Sequence, residues 1–332
     1  MAHQIRIAGT DLHFDCEHGE NVLDAALKAG IEMPYSCRKG VCGNCAGGVV
    51  AGEVLSPPSE AKPVGKHLYC QCQPLSDLEL TPAAWHRIDP SARKTFTVKV
   101  FRNTLASEDV SVLQLRLPAG QRAKFKAGQY LQVTLPDGSR RSYSMANPPH
   151  ESDSLQLHVR HVPGGQFTRI VPTLAAGDTL QVELPFGNFE LQEESTAPML
   201  CVVGGTGFAP VKSLLDDIAR RRVQRRVTLL WGGRDRRGLY LLSAVERWEK
   251  LLPGFTFLPV IEDAHDAQAL GAFHGRVDDA VRAHCPDLAG HEVYCCGAPP
   301  MVSAVRRAAE ERGLGPQHFF SDVFVPGPAP EL

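Results

Sequence analysis

The sequence contains no apolar run near the roughly 20 residues that a membrane-spanning helix requires. Its start, MAHQIRIAG, lacks the pattern of a signal peptide, and we therefore expect a cytoplasmic protein. No basic stretch with interleaved aromatic residues is present, which argues against nucleic-acid binding. What remains is a chain of 332 residues with 43% hydrophobic and 22% charged side chains, which is typical of two or three globular domains.

Net charge is small, at −2, but it is unevenly distributed. Residues 1–85 contain ten Asp/Glu against six Lys/Arg, and the remaining residues contain 27 against 29. An acidic N-terminal part would suit docking to a slightly basic remainder. An ordinary solvated surface explains the same distribution equally well.

Cysteine occurs at ten positions, and four of them have a diagnostic spacing: Cys37, Cys42, Cys45 and Cys70, in the runs YSCRKGVCGNCAGG and LYCQC. The C-x4-C-x2-C…C pattern is that of a plant-type [2Fe–2S] cluster. A loop of this kind must point three thiolates and several backbone N–H groups toward two irons. Residues without a Cβ leave room for that close approach, and the loop has three of them: Gly40, Gly43 and Gly47.

Other uses of these cysteines fit the spacing less well. A zinc site usually has two C-x2-C pairs or Cys/His pairs, whereas this region has a single C-x2-C pair. Disulfides are rare in cytosolic proteins. Buried structural cysteines would not require the spacing or the glycines. The spacing alone leaves the fourth ligand open between Cys70 and Cys72.

Residues 1–85 have the pattern of a small mixed α+β domain. Alternating residues at 4–7 and 11–14 predict a hairpin, and residues 22–30 predict an amphipathic helix closed by glycine. Further strands are predicted at 48–50 and 77–80. Residues 86–94 are predicted to be a linker, because prolines interrupt regular structure there.

Two further domains are predicted after the linker. Residues 95–194 contain short alternating runs separated by turn signals, which predicts an antiparallel β-barrel of five or six strands. Residues 195–332 alternate between apolar strands and amphipathic helices, which predicts a parallel α/β sheet. The last seven residues, PGPAPEL, are predicted to be disordered.

The run GGTG, residues 204–207, follows a predicted strand and begins a predicted helix. Free backbone N–H groups and the helix dipole at such a turn attract a pyrophosphate. The run lacks the G-x-G-x-x-G spacing, so a tight strand-to-helix corner remains an equal alternative. The run CCGAPP, residues 295–300, ends a later strand, and its small residues leave space for a flat ring at the same sheet edge.

The run RRSYS, residues 140–144, lies in the predicted barrel. An arginine, an aromatic ring and a hydroxyl together suit a flavin with a pyrophosphate, because arginine pairs with phosphate oxygens in a fork. Taken alone, Tyr143 would more often be a packed strand residue.

Four motifs carry a resemblance to a known family: R-x-Y-S at 141–144, GGQFT at 164–168, GGTGFAP at 204–210 and CGAPP at 296–300. With these motifs the chain resembles the ferredoxin–NADP⁺ reductase superfamily. Together with an N-terminal plant-type ferredoxin, it resembles the reductases that supply Rieske-type aromatic-ring dioxygenases. The resemblance covers nearly the whole length and implies a β-grasp fold for the ferredoxin domain.

The resemblance also implies binding residues. It implies cluster ligation by Cys37, Cys42, Cys45 and Cys70, with Cys72 as a core residue. It implies FAD contacts at Arg141, Ser142, Tyr143, Ser144, His158, Val159, Arg160, Gly165, Gln166, Phe167 and Thr168. It implies nicotinamide-nucleotide contacts at Gly205, Thr206, Gly207, Gly232, Gly233, Arg234, Cys296, Gly297 and Pro299. It implies a C-terminal aromatic near the flavin ring at Phe324.

The choice between NADH and NADPH stays open at the sequence level. Arg234, Arg236 and Arg237 follow a strand and suit a ribose 2′-phosphate. The acids Glu262 and Asp263 end the next strand and suit a free 2′-hydroxyl instead.

We therefore expect a relay from NAD(P)H through FAD and a [2Fe–2S] cluster to an external Rieske-type oxygenase, without a catalytic side chain. Cys296 is expected to shape the nicotinamide pocket. Two alternatives remain: a reductase for a dehydrase of deoxysugar biosynthesis, and a redox-sensing module that binds the same groups without turnover. Membrane and nucleic-acid partners are not expected.

Overall fold

The computed structural model describes residues 2–59 and 62–325, and the predicted disordered tail lies outside them. The chain divides into two compact units, Met1–Arg93 and Lys94–Leu332. Within the described residues, no helix has the length and apolar content needed to cross a bilayer.

The first unit is a mixed sheet with one helix packed on it. Its elements are β1 (His3–Ile7), β2 (His13–Cys16), α1 (Val22–Lys28), β3 (Ile31–Glu32), β4 (Ala46–Ala51), β5 (Val54–Leu55), β6 (His67–Leu68), β7 (Gln73–Pro74), β8 (Leu78–Thr81) and β9 (His86–Arg87). The main sheet has the order β2-β1-β8-β4-β6, with β1 and β8 parallel. The predicted α+β class and the predicted hairpin are confirmed.

Helix α1 begins where a side chain caps it. The Asn21 side chain accepts a hydrogen bond from the Asp24 N–H at 2.9 Å, which satisfies one of the donors left open at a helix start. The apolar face of the helix, Val22 to Leu27, is buried in the core of the unit. The first turn of the helix also bonds to the segment beside Cys70, since the Leu23 N–H donates to the Tyr69 carbonyl oxygen at 3.0 Å.

The segment predicted as a linker contains regular structure. Strand β9 pairs with β3 inside the first unit, and a short 3₁₀ turn covers residues 90–92. Lys94 then begins the next strand. The domain boundaries at 85, 95 and 194 stay predictions.

The second unit begins with a six-stranded antiparallel barrel. Its elements are β10 (Lys94–Ser107), β11 (Val110–Arg116), β12 (Tyr130–Thr134), β13 (Arg140–Ser144), β14 (Ser154–Arg160), α2 (Gln166–Ile170) and β15 (Thr179–Phe186). The strand order is β13-β12-β15-β10-β11-β14. A bridge between Met145 and Leu157 joins the two outer strands and closes the barrel, as predicted.

A parallel sheet completes the second unit. Its elements are β16 (Met199–Gly204), α3 (Phe208–Arg221), β17 (Val227–Gly233), α4 (Leu242–Leu251), β18 (Phe255–Ile261), α5 (Ala264–Leu270), β19 (Phe273–His274), α6 (Val277–His284), β20 (Glu292–Gly297), α7 (Pro299–Glu311) and β21 (Phe319–Val323). The order β19-β18-β17-β16-β20-β21 is parallel throughout. The strand order reverses between β16 and β20, which is where open α/β sheets bind ligands.

Side chains of α3 hold the barrel against this sheet. Lys212 Nζ donates to the Ala146 carbonyl oxygen at 3.0 Å and forms an ion pair with Asp216 at 2.9 Å. Ser213 Oγ donates to the Asn147 carbonyl oxygen at 2.7 Å. Because both carbonyls lie just after β13, the helix holds the barrel backbone beside the RxYS motif.

Candidate functional site

The four predicted cluster cysteines come together as two pairs at one end of the first unit. Cys45 Sγ lies 3.3 Å from Cys70 Sγ, and the Cys37 and Cys42 thiols form a hydrogen bond. Cys72 is instead completely buried in the core of the unit. The structure therefore brings Cys70, and not Cys72, beside the loop cysteines.

Loop geometry and electrostatics suit the binding of metal by these thiols. The hydrogen bond from Cys42, with backbone N–H groups such as that of Lys39 at 3.3 Å, lowers the pKa of Cys37 below its ordinary value. The hydrogen bond with Cys45 lowers the pKa of Cys70 in the same way. One member of each pair is thus readily deprotonated, and the thiolate is the form that binds iron. The residues present fit a [2Fe–2S] cluster.

The glycines of this loop serve two different purposes. Gly40 and Gly43 have positive φ values of 73° and 76°, which lets the loop fold tightly around the thiols. Gly47 was predicted to leave room for the cluster, and this prediction is wrong. A Cβ there would overlap the ring of Tyr69, whose hydroxyl donates to the Gly48 carbonyl oxygen at 2.7 Å. Gly47 is therefore required by core packing.

The barrel motif RxYS lies on β13, with its side chains anchored by residues from other strands. The Arg141 guanidinium donates to the Gln166 side chain, and the Tyr143 ring packs on Phe167 with 5.1 Å between ring centroids. No carboxylate forms an ion pair with Arg141 in residues 2–59 or 62–325. Its guanidinium charge therefore suits an added anion such as a pyrophosphate.

Two of the predicted FAD contacts are occupied by protein partners. His158 is buried, with its Nδ1 atom 2.9 Å from the Tyr240 hydroxyl. Burial, with a smaller effect of the Lys212 charge, lowers the pKa of His158 to about 3. Val159 lies in the barrel core. Any contact of these two residues with a flavin must use their backbone.

Arg160 reaches the glycine-rich loop of the parallel sheet. A Cβ added to Gly205 would lie 3.2 Å from the guanidinium, which also forms an ion pair with Asp109 at 2.6 Å. Thr168 binds within its own turn, with its hydroxyl donating to the Val162 carbonyl oxygen at 2.9 Å. Arg160 therefore places a positive charge beside the predicted nucleotide loop.

The loop Gly204–Gly207 packs directly against the end of β20. A Cβ on Gly207 would overlap the Cys296 carbonyl oxygen, so only glycine permits this approach. The loop leads into α3, a helix of 14 residues whose N-terminus faces the loop. Exposed backbone N–H groups at such a helix start can hold a pyrophosphate.

Cys296 and Phe324 lie at the same end of the sheet. Cys296 is completely buried, and burial raises its thiol pKa well above the ordinary range, which excludes a thiolate nucleophile there. The Phe324 N–H donates to the Gly297 carbonyl oxygen at 2.9 Å. The structure thus brings Gly207, Cys296, Gly297 and Phe324 together.

The loop after β17 contains the three arginines considered for a 2′-phosphate. Arg237 forms ion pairs with Asp235 and, at 2.7 Å, with Glu108. Arg236 Nε lies 3.9 Å from Asp266, whereas the exposed Arg234 has no carboxylate partner in the described part of the chain. Three carboxylates, Glu108, Asp235 and Asp266, form ion pairs within this group of three arginines, so the nucleotide preference stays open.

Sequence reasoning missed Asp322. This nearly buried residue on β21 accepts a hydrogen bond from Ser144 Oγ at 3.2 Å, and its charge lies close enough to raise the pKa of Cys296. It therefore connects the flavin motif to the nicotinamide side of the sheet. Its 178-residue separation from Ser144 left no local signal.

The structure is that of a modular redox protein. It combines thiol pairs at a tight loop, a closed barrel with an arginine that suits an anion, and a parallel sheet with a glycine-rich loop. Family models match each part: a 2Fe–2S iron–sulfur cluster binding domain at residues 5–75, an oxidoreductase FAD-binding domain at 97–191, and an oxidoreductase NAD-binding domain at 200–307. The predicted cofactors are confirmed.

Individual relatives agree over the full length. The chain is 54% identical to reductase component 1 of terephthalate 1,2-dioxygenase from a Comamonas species, over 99% of both chains. It is 34% identical to the CDP-6-deoxy-L-threo-D-glycero-4-hexulose-3-dehydrase reductase of Yersinia pseudotuberculosis, over 98% of this chain and 99% of the relative. The crystal structure of the Amycolatopsis cytochrome P450 reductase GcoB superimposes with a TM-score of 0.76 at 33% identity, over 98% and 99% of the two chains.

The chain belongs to the family of NAD-, FAD- and [2Fe–2S]-dependent reductase components that these relatives represent. This confirms the predicted resemblance to the ferredoxin–NADP⁺ reductase superfamily with an N-terminal ferredoxin domain. The runs RRSYSMANPPHESD and HVRHVPGGQFT further predicted a likeness to the terephthalate 1,2-dioxygenase reductase component, and the comparison confirms it.

Proposed function

We propose that this chain is the reductase component of an aromatic-ring-hydroxylating dioxygenase, with a Rieske-type oxygenase as its acceptor and terephthalate as the substrate of that oxygenase. The observation that carries the proposal is the 54% identity, over 99% of both chains, to the two terephthalate 1,2-dioxygenase reductase components. Cysteines without disulfides fit a site of action in the cytoplasm.

In this proposal the groups held by the chain supply hydride acceptance by FAD and single-electron transfer by the [2Fe–2S] cluster. The side chains bind and position these groups. Cys37, Cys42, Cys45 and Cys70 would hold the cluster, and the approach of their thiols in two pairs supports this assignment. The surrounding loop N–H groups stabilise the negative charge of the thiolates.

The FAD site is proposed to run along β13, β14 and the turn before α2. Arg141 pairs with the pyrophosphate, while Tyr143 and Ser144 contact the ring. The other proposed contacts are Ser142, the 158–160 backbone with the Arg160 side chain, Gly165, Gln166, Phe167 and Thr168. The anchoring of Arg141 by Gln166 supports this orientation, because it holds the guanidinium before any anion arrives.

The nucleotide site is proposed at the carboxyl edge of the parallel sheet. Gly205, Thr206 and Gly207 hold the pyrophosphate, while Gly232, Gly233 and Arg234 border the adenosine side. Cys296, Gly297, Pro299 and Phe324 surround the nicotinamide. The close approach of Gly207 to Cys296 supports one continuous site. No side chain of this site is proposed as a general base, because the bound nucleotide and FAD would themselves supply the hydride transfer.

A dehydrase reductase of deoxysugar biosynthesis is the second candidate. It is favoured by the 34% identity to the Yersinia pseudotuberculosis protein over 98% of this chain. The lower identity ranks it after the dioxygenase reductase. A redox-sensing module without turnover is the third reading, and steady reduction of cytochrome c by NAD(P)H would exclude it.

The test is reconstitution with purified terephthalate dioxygenase oxygenase, terephthalate and either NADH or NADPH. We expect NAD(P)H oxidation to depend on terephthalate and to form a dihydroxylated product. The control reaction contains a dehydrase of the deoxysugar pathway in place of the oxygenase. Turnover with the dehydrase but not with the oxygenase would contradict the proposal. Comparing NADH and NADPH at equal concentration identifies the electron donor.

A further inference from the structure

Basic residues in the first unit are concentrated around the cluster cysteines. Four of the six Lys/Arg in residues 1–85 fall between Cys37 and Cys70, namely Arg38, Lys39, Lys62 and Lys66. Of the ten carboxylates in the same range, only Glu53 and Glu60 fall there, which leaves eight elsewhere. The unit is therefore acidic overall but basic in the sequence that surrounds the cluster site.

The fold keeps these basic residues near the cysteines. Arg38 and Lys39 lie inside the loop itself, and the Lys39 N–H donates to Cys37 Sγ. The second segment begins beside the same loop, because Ser59 Oγ donates to the Gly40 carbonyl oxygen at 2.7 Å. It returns at His67, which pairs with Gly47. Lys62 and Lys66 lie between these two anchor points.

The charges of Lys62 and Lys66 are not cancelled by a carboxylate in the described part of the chain. Burial lowers the pKa of His67, and the nearby positive charge of Lys62 lowers it further. Within residues 2–59 and 62–325, no ion pair joins Lys62 or Lys66 to a carboxylate. Glu53 is the described carboxylate between Cys37 and Cys70, and its backbone N–H donates to Ser76 Oγ at 2.9 Å.

Three other bases of the unit form ion pairs. Lys28 Nζ lies 2.6 Å from Glu20, and Arg6 lies 3.6 Å from Glu79. Arg38 forms an ion pair with Asp24, which reduces its contribution to the basic region. Within the described residues, Lys62 and Lys66 are therefore bases whose charge no carboxylate balances through an ion pair.

Apolar side chains accompany the charge. Val41, between two of the cluster cysteines, exposes 40% of its surface, and Val64 is fully exposed. Exposed apolar groups bordered by charged residues are typical of interaction sites. Electron-transfer complexes commonly use small contact areas of this kind.

We propose that a cluster rim, consisting of Arg38, Lys39, Val41, Lys62, Val64 and Lys66, is the docking surface for an acceptor protein with an acidic surface. This rests on the proposed function, in which the acceptor is the oxygenase. Rim charge rather than net charge governs docking, since a Debye length of about 8 Å screens distant carboxylates. Each encounter transfers one electron: the cluster is oxidised by one electron and the acceptor iron is reduced by one. One NAD(P)H supplies two such encounters.

The first experiment measures acceptor reduction by stopped flow, using holoenzyme reduced with NAD(P)H. The rim variant is Lys62→Glu/Lys66→Glu, and the matched control is Arg122→Glu/Lys124→Glu on the exposed barrel surface. The acceptors are terephthalate oxygenase and cytochrome b5, an acidic haem protein. We expect the wild-type rate constant to fall with added salt, and the rim variant to be slower by about tenfold at low salt. The control should stay within about twofold of wild type.

The second experiment measures binding without turnover. Cytochrome b5 is titrated into the oxidised holoenzyme, and the dissociation constant is determined by calorimetry. The rim variant is expected to bind about tenfold more weakly, with a smaller dependence on salt, and the control variant to bind like wild type.

Equal rates for wild type and rim variant, or a wild-type rate that rises with salt, would overturn the proposal. Slower reduction of the variant's own cluster by NAD(P)H would also overturn it, because the rim would then serve the flavin-containing unit. Failure to reduce the oxygenase, together with salt-sensitive and rim-dependent reduction of cytochrome b5, would support the docking surface. That result would at the same time contradict the proposed oxygenase partner.

Discussion

The cluster cysteines differ from the other cysteines of the chain in their surroundings. Burial raises the pKa of Cys16 to about 11 and that of Cys72 to about 12, so both remain neutral thiols in the core. Among the cluster cysteines, Cys37 and Cys70 instead receive hydrogen bonds from Cys42 and Cys45 that lower their pKa values, while the pKa values of the two donors are raised. One thiol of each pair is therefore favoured as a thiolate by its partner, an arrangement that Cys16 and Cys72 lack.

Replacing Cys42 with serine tests the separation of the two redox sites. Cys42→Ser removes one proposed iron ligand while leaving the second unit intact. We expect loss of cluster-dependent cytochrome c reduction and retention of NAD(P)H–ferricyanide activity. Steady-state assays with both acceptors measure this, with Cys285→Ser as the control. Equal loss of both activities would contradict separate roles.

His158 should make the stability of the second unit depend on pH. Its pKa is about 3 when folded, against about 6.5 in the unfolded chain, so the unfolded state binds the extra proton. The contribution of neutral His158 to the free energy of unfolding is therefore fully present above about pH 6.5, and it is lost as the pH falls toward 3. The expected loss between pH 7.5 and pH 5 is about 2 kcal/mol.

Urea unfolding of wild type and His158→Gln at both pH values measures this contribution. The variant should lose less stability on acidification than wild type, by about that 2 kcal/mol. The control His150→Gln, at an exposed position, should lose as much stability between the two pH values as wild type does. A variant whose stability falls as steeply as that of wild type would show that His158 is not the titrating group.

At the scale of elements, the glycine loop joins β16 to α3 and defines the nucleotide site. Gly207→Ala places a Cβ on the Cys296 carbonyl oxygen, so the loop backbone must move. We expect the affinity of the oxidised protein for NADP⁺ and NAD⁺ to fall at least tenfold, or about 1.4 kcal/mol, with unchanged FAD and iron content. Titration of oxidised protein with NADP⁺ and NAD⁺ measures it.

The matched control for that change is Gly315→Ala. Its Cβ would meet only the flexible end of the Gln317 side chain, at 2.8 Å, far from the loop in sequence. Nucleotide affinity should be unchanged. If Gly207→Ala binds nucleotide like the control, the close approach of the loop to β20 does not shape the site.

Helix α3 also fastens the barrel to the sheet through Lys212. Lys212→Met leaves the Ala146 carbonyl without its donor and removes one partner of Asp216, which keeps Arg247 and Trp248. We expect the free energy of unfolding to fall by about 3 kcal/mol, with partial recovery in Lys212→Arg. Urea unfolding followed by tryptophan fluorescence measures this, and a methionine variant as stable as wild type would contradict it.

Elements with a strong local pattern were predictable from the sequence. Residues 199–203 form a continuous apolar run and residues 227–231 are apolar apart from Thr228, and these two runs became the central strands β16 and β17. Strands of two residues, such as β3 and β9, have no periodicity to detect, and they exist because they pair with each other. The prediction of a linker at residues 86–94 missed β9 for the same reason.

Over the whole molecule, the sequence revealed motifs but not the contacts that join them. GGTG and CGAPP were both recognisable, yet the overlap that makes Gly207 necessary requires the folded sheet. Asp322 and Lys212 had no motif, because their partners are in the barrel, far away in the chain. The chemical role of a residue could be predicted from its neighbours in the sequence, whereas its contacts with distant residues depended on the topology of the fold.

The central claim is that one chain passes electrons from a nicotinamide nucleotide to an iron–sulfur cluster. Its most direct test is electron paramagnetic resonance of the anaerobic holoenzyme after addition of NADH or NADPH. We predict that the rhombic signal of a reduced [2Fe–2S] cluster appears while the flavin absorbance bleaches. The account would be contradicted if the flavin bleached without that signal, in a protein sample whose cluster is reduced when dithionite is added.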